Sequence, residues 1–171
     1  MEHVAALAVR VAAADSVDLD ELADLAACTF PLACPPSVTP ANVAAFVGAH
    51  LSATRFAEYL ADPGRMILTA AYGARLIGYA MLIHDDGRSA VELSKMYVLA
   101  ENHGTGVSSA LMDAALMAAR EFAATYVWLG VNQKNQRAQR FYAKHGFAIT
   151  GTRTFQVGTN LEHDYIMARE L

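Results

Sequence analysis

Apolar and polar residues alternate from Ala6 to Ala12, the period of a strand. Asp18 and Asp20 then open a helical pattern with Leu19, Leu22, Ala23, Ala26 and Ala27 on one side. The stretch Phe30 to Thr39 holds or borders four of the five prolines, which predicts a loop, and a second helical region follows from Ala41 to Ala61. After Asp62-Pro63-Gly64 the period changes. Met66–Tyr72, Ile77–His84 and Ala90–Leu99 are strand-like runs separated by Gly73-Ala74-Arg75 and Asp85-Asp86-Gly87, which predicts three consecutive antiparallel strands. A long helix begins near Gly106, with Val107, Ala110, Leu111, Ala114, Ala118 and Phe122 at the spacing of a buried face. Tyr126–Val131 reads as a strand and Asn135–His145 as a second amphipathic helix. Ala148–Val157 and Tyr165–Ala168 read as a closing hairpin around Gly158-Thr159-Asn160. The predicted order is βααβββαβαββ, and no repeat or low-complexity segment divides it, so residues 1–171 read as one mixed α/β domain of the α+β type.

Composition narrows the functional classes. With 171 residues, 54% of them apolar, the chain can bury a sizeable core. Mean hydropathy is +0.23, but no apolar run approaches the 18 or so residues of a membrane span. Thirteen basic against 17 acidic residues give a net charge of −4, the wrong sign for a protein that binds nucleic acid by neutralising phosphates. The expectation is therefore a soluble protein without membrane or nucleic-acid partners. Cys28 and Cys34 form no disulfide framework, and Glu2 stands where a secretory leader would be basic, so the reading favours a reducing cytoplasm. His3, His50, His84, His145 and His163 lack metal-ligand spacing, and no metal is expected.

Two segments carry chemistry. The run from Leu93 to Ser109 passes from a strand through His103-Gly104-Thr105-Gly106-Val107-Ser108 into a helix. A helix start leaves up to four N–H donors unpaired and carries a partial positive charge, so glycines there admit an anion such as a pyrophosphate. A GxG turn is also an ordinary connection. It is neither a P-loop, which needs GK followed by Ser or Thr, nor a dinucleotide fingerprint, which needs glycine at Ser109. The second segment, Asn135 to Phe147, has an Asn N-cap, an apolar stripe of Ala138, Phe141 and Tyr142, and Gly146 at its exit. A tyrosine on that stripe must find a partner for its hydroxyl if buried.

Together the two segments resemble the GNAT superfamily of N-acetyltransferases, whose glycine-loop signature is Gln or Arg, two residues, Gly, one residue, Gly or Ala. His103 and Ser108 depart from that signature, while Asn135, Ala138, Phe141, Tyr142, Lys144, Gly146 and Phe147 follow the family's second motif. Trp128-Leu129-Gly130-Val131, Thr154 to Gly158 and Asp164 to Met167 are similar to the PaiA-type spermidine and spermine N-acetyltransferases.

The resemblance implies a central, mostly antiparallel, splayed sheet flanked by helices, with acetyl-CoA held between two diverging strands. Main-chain groups near Met96 and Val98 would bind pantetheine and polarise the thioester carbonyl. His103, Gly104, Thr105, Gly106, Val107 and Ser108 would cradle the pyrophosphate, with Asn135, Tyr142 and Lys144 completing the cosubstrate site. Glu92 stands where many members carry the general base, with Asp85 and Asp86 as alternatives, and Tyr142 would be the general acid. A solvent-facing role for Glu92 and a solvated Lys144 are the equally simple structural readings. The expected acceptor is a small-molecule primary amine, a polyamine such as spermidine or spermine. A protein N-terminus, an amino acid, an aminoglycoside amine, or a CoA-binding module without turnover stand as alternatives. Acidic residues lining the loop from Pro31 to Thr39 and the hairpin near Glu162 would favour the polyamine. The C-terminal strand could extend a sheet between two copies, giving a homodimer.

Overall fold

The computed structural model describes residues 5–84 and 89–171. Seven strands form one sheet: β1 (Leu7–Val11), β2 (Arg65–Tyr72), β3 (Arg75–His84), β4 (Ala90–Val98), β5 (Tyr126–Asn132), β6 (Ala148–Val157) and β7 (Asn160–Glu170). Their spatial order is β1-β2-β3-β4-β5-β7-β6, antiparallel throughout except for β4 against β5. Five α-helices connect them among the described residues: α1 (Leu19–Ala33), α2 (Pro40–His50), α3 (Ala53–Ala61), α4 (Val107–Glu121) and α5 (Gln136–Lys144).

The strand alternation sorts the core into two layers, because successive side chains leave a strand on opposite faces. Leu68, Ala80 and Leu82 pack with Leu111, Met112, Ala115 and Ala119 of α4 on one face. Ile67, Tyr79 and Met81, from the same two strands, pack on the other face with Leu22, Leu25 and Phe30 of α1 and Phe56 and Tyr59 of α3. The buried residues of α4 recur at three- and four-residue intervals, which fixes its register on the sheet and places its N-terminus at the end of β4.

Three expectations change. Helix α1 runs through Pro31 to Ala33, so the proline-rich loop starts at Cys34; proline removes one N–H and does not end this helix until its last turn. The region Ala41–Ala61 divides at Leu51 and Ser52, where the Ser52 hydroxyl accepts from the Arg55 N–H and caps a separate helix, giving five α-helices where the pattern predicts four. The C-terminal strand is not an edge: β7 lies between β5 and β6 and leaves β6 outermost. The connection Asp85-Asp86-Gly87, with the alternative bases Asp85 and Asp86, lies outside the described residues.

Candidate active site

Strands β4 and β5 pair in parallel at only three positions, Ala90 with Tyr126, Val91 with Val127 and Glu92 with Trp128. Beyond Glu92 they diverge while β4 stays paired to β3 as far as Val98. The Leu99 N–H donates to Ile77 O at 2.9 Å across β3. Main-chain donors alternate along an antiparallel strand, so the N–H groups of Met96 and Val98 point the other way, into the opening. The His103 ring nitrogen Nε2 lies 2.8 Å from Val98 O and occupies that carbonyl, leaving amide donors to face a ligand.

A β-bulge decides which side chains share the opening. Met81 pairs with Lys95 and Leu82 with Leu93, so Ser94 is an extra residue in β4. Strict alternation would send Glu92 and Tyr97 to opposite faces. With one residue inserted, Val91, Leu93, Met96 and Val98 pack toward the α4 layer, and Glu92 joins Lys95 and Tyr97 on the α1–α3 side.

At the far end of the opening, Gly104 and Gly106 adopt φ of +77° and +91°, and a Cβ on either would meet nothing within 4 Å. Asp18, Thr39, Ser52 and Asn135 cap α1, α2, α3 and α5 with side-chain oxygens, whereas Gly106 caps α4 with none. The first-turn N–H groups of α4 are thus left for an anion. Ser109 Oγ sits 3.2 Å from His145 Nε2, tying this turn to the end of α5. Arg137 and Lys144 add positive charge along the same wall.

Opening, glycine turn and α5 line one cleft of about 870 Å³. That is within the usual range for small-molecule sites, and its donors fit a long ligand with a phosphate end. Glu92, Met96, Val98, His103, Gly104, Gly106, Ser108, Asn135, Tyr142 and Lys144 all border it. Thr105 and Val107 do not. The Thr105 hydroxyl donates to Asn102 O at 2.6 Å, and Val107 is wholly buried in the α4 layer, so neither presents a side chain to the cleft. Asn135 Oδ1 accepts from the Ala138 N–H at 3.2 Å, which makes its carboxamide a cap. The Tyr142 hydroxyl bonds to no protein group among the described residues, and burial pushes its phenol up to about 12.

The sequence points to acidic residues in the hairpin near Glu162, but not to Arg153 or to the pairing that makes these groups a charged floor of the cleft. Arg153 of β6 bonds to Asp164 and approaches Glu92. Asp164 and Glu162 of β7 are both buried, and Glu162 accepts from Asn132 Nδ2 at 3.2 Å and Asn160 Nδ2 at 2.5 Å. Burial raises the carboxyls of Glu92 and Asp164, and Arg153 opposes both shifts. Cys34, across the cleft, is raised to about 11 by burial and by Glu162. Lys95 has no carboxylate within ion-pair distance among the described residues, and burial lowers it to about 8, helped by Arg65. An aromatic wall of Phe30, Phe46, Tyr97 and Phe155 closes this end. In the sequence these residues stand far apart on α1, α2, β4 and β6, and only strand pairing and helix docking bring them together.

Residues 19–147 match the model of the Acetyltransferase (GNAT) family. An uncharacterised N-acetyltransferase of Mycobacterium tuberculosis is 62% identical over 154 residues, covering 90% of this chain and 98% of that protein. Among solved structures, the PaiA N-acetyltransferase of Thermoplasma acidophilum in complex with coenzyme A superposes with a TM-score of 0.83 at 17% identity, covering 97% of this chain and 99% of that one. The ribosomal-protein-S18-alanine N-acetyltransferase of Escherichia coli does so with a TM-score of 0.73 at 16% identity, covering 96% and 94%. The chain belongs to the GNAT family of acetyltransferases.

Proposed function

We propose that this acetyltransferase, with acetyl-CoA as cosubstrate, acetylates the primary amine of a small cationic acceptor by direct attack on the thioester, and that residues 1–171 act as one catalytic domain. The observation that carries the reading is the opening between β4 and β5, which puts free main-chain donors, Glu92 and Tyr142 around one cleft. Acetyl-CoA supplies an electrophilic thioester carbonyl. The N–H groups of Met96 and Val98 face the place where its oxygen gathers charge, and fixed donors in a sheltered site stabilise that charge without reorganising.

An alkyl ammonium with pKa near 10.4 must lose a proton before it attacks, which at pH 7 costs about 4.6 kcal/mol. Glu92 accepts that proton, directly or through water, and burial has moved its carboxyl upward toward the working pH. Tyr142 donates to the departing sulfur. Its phenol at about 12 is a weaker acid than a thiol near 8.5, so its O–H stays intact and donates a hydrogen bond that stabilises the charge gathering on sulfur as the C–S bond breaks, and the thiolate takes its proton from solvent. His103, Gly104, Gly106 and Ser108, the backbone of Thr105 and Val107, and Asn135 and Lys144 form the cosubstrate wall.

For the acceptor, the buried carboxylates of Glu162 and Asp164 support a polyamine such as spermidine or spermine. The loop Pro31–Thr39 contributes no acidic residue to this end. Lys95, a cation without an ion-pair partner among the described residues, favours a second reading: an amine that also bears a carboxylate, as an amino acid or peptide does. Thiol release measured over spermidine, spermine, amino acids, peptides and aminoglycosides decides between them. Turnover fastest with spermidine or spermine supports the polyamine, and turnover confined to amino acids or peptides replaces it. Protection from heat by acetyl-CoA with no thiol released for any amine would leave a CoA-binding module and overturn the catalytic reading.

A further inference from the structure

The guanidinium of Arg153 is held from several sides. Its Cζ lies 5.8 Å from the ring centroid of Trp128 and 5.6 Å from that of Phe155, within cation–π range. It fills the hollow above Gly130, where a Cβ would come within 2.6 Å of Nε. Nε donates to Asp164 Oδ2 at 3.2 Å, whereas Nη1 stays 3.8 Å from Glu92 Oε1. The first distance is a hydrogen bond and the second is not, so Arg153 acts on Glu92 through charge and leaves its oxygens free.

We propose that Arg153 is a positioning residue for acetyl transfer: anchored by Asp164 and by the hollow at Gly130, it keeps the Glu92 carboxylate ionised in its buried setting without consuming the lone pairs that take the acceptor's proton. This rests on Glu92 as the base. The charged groups facing Glu92 are Arg153 from β6, Lys95 from its own strand and Arg65 from β2, with Asp164 of β7 beyond the guanidinium; β5 presents none. Burial pushes the Glu92 carboxyl up, and Arg153 is the largest of the three opposing influences. Asp164 and Glu92 face Arg153 directly, and Glu162 stands behind Asp164. A direct salt bridge from Arg153 to Glu92 would also ionise the carboxylate, but would compete with the substrate for it.

Carbon NMR titration of the full-length protein labelled at the glutamate carboxyls, with Glu92→Gln assigning the resonance, reads the coupling without turnover. An opposite charge within about 4–6 Å moves a carboxyl by roughly 1–3 units, and the partial exposure of Arg153 favours the low end, about one unit. Arg153→Gln is therefore expected to raise the Glu92 midpoint by about one unit, with Arg153→Lys restoring part of the shift. Gly130→Ala keeps the charge but crowds the guanidinium out of its hollow, and is expected to raise the midpoint as well. In thiol release with spermidine, the acid limb of kcat/KM should move the same way while KM for acetyl-CoA holds. A midpoint that is unchanged or lower in Arg153→Gln, or, should that variant not fold, unchanged in both Arg153→Lys and Gly130→Ala, overturns the proposal. Full activity in Glu92→Gln would instead overturn the base assignment and leave the measured coupling standing.

Discussion

Replacing Glu92 by Gln keeps the shape of the residue and removes its ability to take a proton. If Glu92 deprotonates the acceptor, the loss is bounded by the work that the base performs. At pH 7 that is the gap between the solution and the ammonium pKa of about 10.4, close to 3.4 units or 4.6 kcal/mol, so kcat/KM should fall by 10²- to 10³-fold. The bound shrinks with pH, because an amine already deprotonated in bulk needs no base. The ratio of wild type to Glu92→Gln should close by about tenfold per pH unit and come within several-fold by pH 10. Continuous thiol release with spermidine between pH 7 and 10 measures this ratio. Two neighbours bear on the profile. Tyr142, at about 12, stays protonated across the range, while Lys95, at about 8, titrates within it, so the same series in Lys95→Met separates its contribution. A constant ratio from pH 7 to 10 would refute proton removal by Glu92 and leave it a binding or structural role.

Tyr142→Phe should lower kcat at least tenfold with little change in KM for acetyl-CoA, because the hydroxyl has no protein partner among the described residues to lose; steady-state kinetics with varied acetyl-CoA checks this. Gly106→Ala places a side chain at φ +91°, costing about 1–2 kcal/mol, and should lower Tm by several degrees and weaken coenzyme A binding in calorimetry. Leu111→Ala empties a fully buried position between α4 and the sheet and should destabilise by about 2–5 kcal/mol in urea unfolding. Lys95 is held below its ordinary value, so the unfolded chain binds more protons there and stability should rise with pH from about 8 to 10.5; Lys95→Met should remove that rise and add about 1–2 kcal/mol at pH 7.

What the sequence disclosed followed the range of the interactions. The glycine turn, the Asn135 cap and the apolar stripe ending in Tyr142 are local, and their spacing is written within a dozen residues. Strand and helix periods placed most elements for the same reason. The bulge at Ser94 left no mark in the alternation, because Ser94 and Lys95 are both polar and read as one outward step. The cap at Ser52 was legible in hindsight as a serine three residues before Arg55, but the apolar pattern on both sides concealed the break. Glu162 stands out in the sequence as a hairpin carboxylate and Asp164 only as part of the PaiA-like run, while Arg153 reads as an ordinary outward residue. They face a cleft only because β7 inserts between β5 and β6, a fact carried by tertiary contact alone. His103 showed its chemistry in the sequence but not its direction, which is set by the Val98 carbonyl that its ring reaches.

Three residue pairs fasten β4 to β5, so the sheet is two panels sharing a short seam. On one side stand β1 to β4 with most of the helical packing, and on the other β5 to β7 with the charged floor. A cosubstrate seated in the notch would act as a non-peptide strand, carrying hydrogen bonds from one panel toward the other where the polypeptide does not. The stiffness of the sheet across the notch would then depend on the acetyl donor.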